Sequence, residues 1–442
     1  MSSILYIAPL LGAKNKYFYY VFGAPPLENC GFVGVEGEKI QQLLSSCVTR
    51  ICFDYLGHPI DIENFNTFYD VKILCGLAGM GGNSLMEFAR ASPVTAQYLA
   101  EYEDVTLKMN NVIRSYKKSK ILYQNYPFDS LFPDFMLLKF MTIQAKIVHD
   151  LFLKQQKETV FYEKLLPSIV ALAETAKEPV YINASALAHD YTHFSKLLKR
   201  LRPEGKLYLR YNFIGAKTGR LSFAPGTVNL YILPKSLRAA IVAPEENSIV
   251  QIDFKSFQPR LAIFSTNNIE FKKKFQNIDD IYSVFDGDRE TNKISFLAWM
   301  FSNGYNHVFE YAATPILDLR KNLFAELKIN GKIINPFGRS IHYDGQEENV
   351  TLQNYVTSVE VDVILSLVMD IHLFLKNKKS KIAFPFHDSL VLYVHKKEME
   401  LVEKIKSIME MKCRDMFGAV FPVSVKIGDN FGEMKTFKQK GD

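Results

Sequence analysis

The 442-residue chain, 48% hydrophobic and 23% charged, reads as a soluble globular protein long enough for two or three domains with substantial cores. No uninterrupted apolar run approaches the roughly eighteen residues that cross a bilayer, so no membrane-spanning segment is expected. The net charge of +6 is unevenly spread: residues 1–110 hold 7 Lys and Arg against 11 Asp and Glu, and the remainder 46 against 36, so the basic body is the part suited to a polyanion, ordinary surface charge being the plain alternative.

In chain order, residues 1–75 read as a mixed unit with strands over 4–10, 17–22, 31–35 and 50–53 and a helix over 39–47. Residues 4–11 are apolar but have no basic segment before them. They read as a first strand rather than a signal peptide, so the protein is expected to be intracellular and non-secreted. Cys30, Cys47, Cys52, Cys75 and Cys413 form no Cys-x-x-Cys pair and are odd in number, against a disulfide framework or zinc site and in keeping with a reducing compartment. A helical region begins in 68–77, and Ser84 through Glu87 starts like a capping box.

Apolar residues at three- and four-residue spacings predict helices over 94–116, 135–157 and 161–176, interrupted by Pro127, Pro133 and Pro167. A short extended piece over 178–183 leads to a helix ending near 201, whose basic cluster Lys199-Arg-Leu-Arg202 is either a solvated helix end or a phosphate contact. Beyond Gly205 the pattern predicts a strand over 206–213, an irregular loop over 221–233, a strand over 249–254, and helices over 257–266, 289–302, 315–327 and 350–376. Strands over 381–386 and 390–394 flank His387-Asp-Ser389 as a tight hairpin, and a helix (398–417) and a strand (423–427) follow.

Three features carry chemistry. Asp253 ends one strand and Asp388 sits in the turn of a hairpin, so an antiparallel sheet could bring the two carboxylates to one edge. Mg²⁺ suits such a pair, because it takes few protein carboxylates and completes its octahedron with water and phosphate oxygens. Arg289, Lys293, Leu297 and Phe301 follow a strict four-residue period and form one helix stripe, two cations and then two apolar groups, fit for a triphosphate and for a base or sugar. Lys217-Thr-Gly-Arg-Leu-Ser222, with Asn229, presents Arg220 in a turn as a fork for phosphate or a base edge. Each feature alone has a dull structural explanation.

Together, and in this order, they resemble the polymerase core of family A DNA polymerases. Thr218-Gly-Arg-Leu-Ser222 with Asn229-Leu-Tyr-Ile-Leu-Pro234 is similar to that family's Thr-Gly-Arg-Leu-Ser…Asn-Leu-Gln-Asn-Ile-Pro. Residues 250–260 resemble its motif A, Arg289 and Lys293 its nucleotide-binding helix, Asn335-Pro-Phe-Gly-Arg339 its Gly-Arg element, and Phe386-His-Asp-Ser-Leu-Val391 its motif C. The resemblance implies a right hand. Its antiparallel palm sheet would carry Asp253 and Asp388 as ligands of two Mg²⁺ ions, with Arg289 and Lys293 on helical fingers. Lys293 would be general acid for the leaving pyrophosphate, Arg220 and His387 would meet the primer end, and Asn229 the template-primer.

The departures matter as much. Gln258 and Phe301 stand where the family pairs a Glu with a Tyr to exclude a 2′-hydroxyl, so sugar discrimination is expected to differ. Leu297 replaces an aromatic residue, Ser389 the second motif C carboxylate, and Thr357-Ser358 a Gln-Gly minor-groove contact, which implies lower fidelity. Tyr98 through Leu107 resembles the last proofreading-exonuclease motif, with Tyr102 in the position of a catalytic Asp. Asp54 could match one remaining metal carboxylate and Asp70 a structural one. Only 34 residues separate Asn183 from Thr218, which implies a reduced thumb and low processivity.

The expected fold class is therefore α/β and α+β multidomain: a degenerate exonuclease-like (ribonuclease H-like) domain over 1–112, a helical linker and reduced thumb over 113–205, and palm and fingers over 206–442, the fingers at about 267–345. The expected partners are primer-template DNA, dNTPs and a processivity or replisome protein, with no membrane. A ribonucleotide-tolerant or RNA-synthesising polymerase and a non-catalytic nucleic-acid-binding replication factor are the alternatives. Richness in Lys, Asn, Ile, Phe and Tyr, with the compact size, would suit a virus or mobile element.

Overall fold

The computed structural model describes residues 4–9, 16–23, 30–35, 49–53, 68–80, 82, 84–118, 134–184, 205–213, 215–224, 227–302, 306, 308–309 and 313–437. These divide into two compact units, residues 1–163 and 164–442, where the sequence divides at 112 and 205. The helices expected over 39–47 and up to 201, Lys199 to Arg202, Asp54, Pro127 and Pro133 lie outside the described residues. Among the described residues no helix is long and apolar enough to cross a membrane.

The first unit is built on a mixed sheet of β1 (Ile4–Pro9), β2 (Lys16–Phe22), β3 (Cys30–Val35), β4 (Thr49–Cys52) and β5 (Phe68–Asp70) in the order β3-β2-β1-β4-β5. β1 pairs antiparallel with β2 and parallel with β4, which pairs parallel with β5. The chain enters α1 (Val71–Leu77) straight from β5, because Asp70 is both the last strand residue and the N-cap, accepting from the Lys72 and Ile73 amides. Then come α2 (Leu85–Ala91), α3 (Ala96–Lys118) and α4 (Asp134–Lys154), and α5 (Thr159–Thr175) begins in the first unit and continues into the second.

Pro167 does not interrupt α5 but lies inside it. A proline within a helix forfeits one backbone hydrogen bond and costs about 3 kcal/mol. The apolar face with Phe161, Leu165, Ile169 and Leu172, each at most 7% exposed, offsets that loss through burial worth about 1.5–3 kcal/mol per side chain.

In the second unit the predicted strand over 206–213 is two pieces that pair differently: β6 (Val180–Tyr181) takes β7 (Lys206–Leu207), whereas β8 (Tyr211–Asn212) takes β9 (Ser222–Phe223). The centre of the unit is an antiparallel sheet formed by β10 (Asn247–Phe254), β13 (Lys381–Phe386), β14 (Ser389–His395), β15 (Val423–Gly428) and β16 (Lys435–Thr436), in the order β13-β14-β10-β15-β16. β14 is buried along its whole length, as a strand covered on both faces must be. Between β10 and β13 lie α6 (Phe257–Ser265), α7 (Ile269–Phe275), α8 (Arg289–Phe301), α9 (Thr314–Asn330), the hairpin β11 (Lys332–Ile334) and β12 (Ser340–His342), and α10 (Glu348–Leu375). α11 (Leu401–Phe417) precedes β15. α10 packs on β13 and β14, and α11 on α10 and β15.

One buried ion pair joins the short hairpin to this core. Arg339 donates to Asp362 on α10 through Nε at 2.9 Å, and the two side chains are 3% and 1% exposed. Asn335 Nδ2 donates to the same carboxylate at 2.8 Å, so the charges are satisfied as well as paired. The Arg339 guanidinium lies over the Phe213 ring and fills the space beside Gly219, whose φ of +75° is the left-handed region and where a Cβ would overlap that guanidinium. Removing one member of a buried pair strands the other, at a cost of about 3–5 kcal/mol. Asp362→Asn is expected to lower unfolding stability by about that amount, read as a fall in denaturant midpoint.

Candidate active site

The carboxyls expected to meet do so because of strand register. Asp253 on the central strand β10 lies opposite Ser389 on β14, and Asp388 immediately precedes Ser389 in the two-residue turn that closes β13 on β14. The Phe254 amide donates to the Asp388 carbonyl at 3.5 Å, and the two side-chain carboxyls share a hydrogen bond. His387, first in that turn, has φ +54°, and Ser256, which swings the chain from β10 into α6, has φ +53°. Non-glycine residues adopt this region at a cost of roughly 1–2 kcal/mol, so both turns keep a side chain where glycine would be easier. Burial, and then the neighbouring Asp388, raise the Asp253 carboxyl above the usual range, partly opposed by Lys426 and Lys293. Asp388 is raised too, again mainly by burial.

These groups open onto a cleft of about 470 Å³ lined by Asp253, Gln258, Asp388, Arg289, Lys293 and Leu297, among others. The last three come from α8. Asp288 caps that helix, accepting from the Thr291 amide at 2.9 Å, and Asn292 Nδ2 ties it to the Phe285 carbonyl at 2.9 Å. Phe296, Trp299 and Met300 are buried, which leaves Arg289, Lys293 and Leu297 on the cleft side. Phe301, at the end of the stripe, is half-buried, does not line the cleft, and accepts at its carbonyl from Asn349 Nδ2 at 3.3 Å.

Sequence reasoning missed a framework beneath this stripe. Arg260, fully buried, donates to the carbonyls of Lys255, Ile278 and Asp279 at 3.0, 2.6 and 2.8 Å. It thereby fixes Asp279, which pairs with Lys255 at 2.6 Å, and Asp280, which pairs with Arg289. Arg289 also meets Glu290 and lies over the Tyr282 ring.

Arg220 and His387 meet at 3.1 Å, from the Arg220 guanidinium to His387 Nδ1. Arginine only donates, so Nδ1 accepts and the ring is neutral with its proton on Nε2. Burial, and then Arg220 and Arg238, lower the affinity of this imidazole for a second proton. Tyr231 packs at a tilt against His387 and donates to the Pro385 carbonyl at 3.2 Å. Asn229 is exposed and caps a short turn, accepting from the Tyr231 amide at 3.0 Å.

Glu360, 3% exposed on α10, was also missed. It accepts from Gln258 Nε2 at 2.7 Å, and burial, followed by the Asp388 charge, pushes its carboxyl up to about 7, against the pull of Gln258 and Arg220. The available signal was a glutamate and Asp362 in the otherwise apolar run Val359–Leu365. Ser389 is fully buried, donating to the Phe386 carbonyl at 2.7 Å and accepting from Gln251 at 2.9 Å. Ser358 is equally buried, accepting from Asn335 Nδ2 at 3.2 Å.

These donors bear on whether a metal ion can bind. Among the described residues no cluster of three or more His, Cys, Asp or Glu could hold one. Two adjacent half-buried carboxyls with raised proton affinity are nevertheless a place where positive charge is wanted. All-oxygen donors, too few to close a coordination sphere, fit Mg²⁺, which keeps water or phosphate oxygens as its remaining ligands. In the first unit, Tyr102 is 4% exposed, stacks on Phe140 and accepts from Gln144 at 3.1 Å, while Asp70 serves as a helix cap.

The chain has the mixed α/β fold of a polymerase domain. Its structure is similar to that of the "POL domain of Pol1 from M. smegmatis complex with DNA primer-template and dNTP", with a TM-score of 0.67 and 12% identity over 98% of this chain and 96% of that one. No family model matches the sequence, and no curated protein does.

Carboxyls raised in the folded protein bind more protons there than in the unfolded chain, so they stabilise below the ordinary carboxylate pKa and lose that contribution as pH rises towards the folded value. With Glu360 pushed up to about 7 and Asp253 and Asp388 raised as well, the metal-free protein is expected to lose thermal stability between pH 5 and pH 8. Thermal melts in chelator should show a falling Tm, shallower in Asp253→Asn, and Mg²⁺ at pH 8 should restore part of the loss.

Proposed function

We propose that the protein is a template-directed DNA polymerase of the family A type, adding dNTPs to a primer 3′-hydroxyl and lacking proofreading. The observation that carries this reading is the juxtaposition of Asp253, on β10, and Asp388, in the turn before the adjacent strand, with Arg289 and Lys293 across one cleft, in a chain that follows a polymerase-domain fold over 98% of its length.

In this reading Arg289 and Lys293 bind and orient the triphosphate. Their charge offsets what develops on the leaving pyrophosphate, and Lys293 donates the proton it needs. Leu297, one turn on, gives the base an apolar seat, with Phe301 beyond it. Gln258 in the cleft wall faces the sugar. Arg220, held by neutral His387, contacts the primer end, and Asn229 retains an exposed amide for the template-primer. Asp253 and Asp388 would hold two Mg²⁺ ions, whose chemistry is to lower the pKa of the attacking hydroxyl and stabilise charge on the leaving oxygen. The likeness to a domain solved with primer-template and dNTP supports those partners, and the basic body adds a sequence-independent attraction for DNA that weakens steeply with salt.

A degenerate exonuclease reading of the first unit draws support from its mixed five-stranded sheet and from Tyr102, an uncharged buried side chain where the motif calls for a carboxylate. Without that carboxylate a pair of metals lacks its anchor. Buried Thr357, where the family's longer Gln side chain would reach the minor groove, favours low fidelity. A reduced thumb favours low processivity without a partner protein.

Primer extension with dNTPs tests the whole reading. Mg²⁺-dependent extension is expected, reduced at least about 10³-fold in Asp253→Asn, because several kcal/mol of charge stabilisation are lost. No extension by folded wild-type protein would leave a non-catalytic nucleic-acid binder. A labelled primer with a mismatched 3′ end is expected to keep its length with Mg²⁺ present and dNTPs absent. Progressive 3′ shortening would mean that the first unit retains nuclease chemistry.

A further inference from the structure

Glu360 is a buried carboxyl to which the chemistry above gives no task. Its hydrogen bond from Gln258, at 2.7 Å, joins α10 to α6 across 102 residues of sequence. Gln258 lines the main cleft with Asp253, Lys293 and Leu297. Glu360 instead lines a small cavity beside Arg220, Tyr231 and His387. The contact therefore fixes a side chain in the cleft wall from behind.

What it fixes is the direction of an amide. Above about pH 7, where Glu360 is ionised, its oxygens accept and cannot donate, whereas a glutamine amide has one donating end and one accepting end. With Nε2 committed to Glu360, the end of Gln258 that remains is the carbonyl oxygen Oε1, an acceptor. A nucleotide with its phosphates at Arg289 and Lys293 and its base at Leu297 carries its sugar level with the step between Lys293 and Leu297, inside the cleft that Gln258 lines. A 2′-hydroxyl there is a donor in need of an acceptor.

Resting on the polymerase reading, we propose that Glu360 is a positioning residue for sugar selection: it holds the Gln258 amide so that its carbonyl oxygen receives a ribose 2′-hydroxyl, making the enzyme tolerant of ribonucleotides. A purely structural Glu360 would affect ribo- and deoxyribonucleotides alike. A positioning Glu360 acts on their ratio, and only while Gln258 is present.

Single-nucleotide primer extension with matched dNTP and rNTP separates these roles. Wild type is expected to use rNTPs within about 10²-fold of dNTPs in kcat/KM. Glu360→Gln keeps the volume but can donate as well as accept, which frees the Gln258 amide to turn. It is expected to widen the dNTP/rNTP ratio about tenfold, one hydrogen bond's worth, and to leave dNTP kcat/KM within about threefold. Glu360→Asp, still acceptor-only, should stay nearer the wild-type ratio. In a Gln258→Ala background Glu360→Gln should change the ratio no further. The inference is overturned if wild type already rejects rNTPs more than about 10⁴-fold, if both substrates fall together in folded Glu360→Gln, or if the ratio still shifts without Gln258. Extension with neither nucleotide overturns the polymerase reading and this inference with it, whereas robust dNTP extension with an unmoved ratio overturns only the latter.

Discussion

Two negative side chains held together in a half-buried place are the constraint around which the second unit is arranged. Register pairs Asp253 with Ser389 and sets Asp388 beside it, so the two repel. Relief comes from a shared hydrogen bond and from the lysines at 293 and 426, one on a helix and one on a neighbouring strand. The fold thus maintains an electrostatic demand for cations at one edge of an otherwise apolar sheet, at some cost to stability. Such a demand is characteristic of functional sites rather than of cores.

The surroundings of that edge are more rigid than a cleft requires for its shape alone. Arg260 holds three carbonyls with its guanidinium, which fixes the segment carrying Asp279 and Asp280 relative to the end of β10. Arg339 and Asp362 do the same for the hairpin and the glycine turn that leads to Arg220. The two buried arginines brace separate segments, those carrying Asp280 and Arg220, so groups that line the cleft and its neighbouring cavity are placed from behind.

Much of this was legible in the sequence, and the boundary of legibility has physical causes. Asp253, Asp388 and the stripe on α8 could be read because periodicity alone fixes which side chains share a face. Strand edges and helix faces need no tertiary knowledge. Pro167 was misread because a local rule, that proline ends helices, yields when a buried apolar face holds the helix through it. The break between β7 and β8 was invisible because it reflects a change of pairing partner, not of propensity. Glu360 and Arg260 were passed over because each gains its meaning from a partner outside its own segment: Glu360 from Gln258, Arg260 from the carbonyls of 278 and 279.

The ion pair between Arg289 and Asp280 bears on any anion that enters the cleft. Arg289 is already neutralised by a carboxylate of the protein, so an incoming anion does not add to a bare positive charge but exchanges with one already there. Affinity then reports the difference between two anions on the same guanidinium, which favours multiply charged ligands over singly charged ones of similar shape. The protein's own aspartate is thus the competitor that an anion displaces from Arg289.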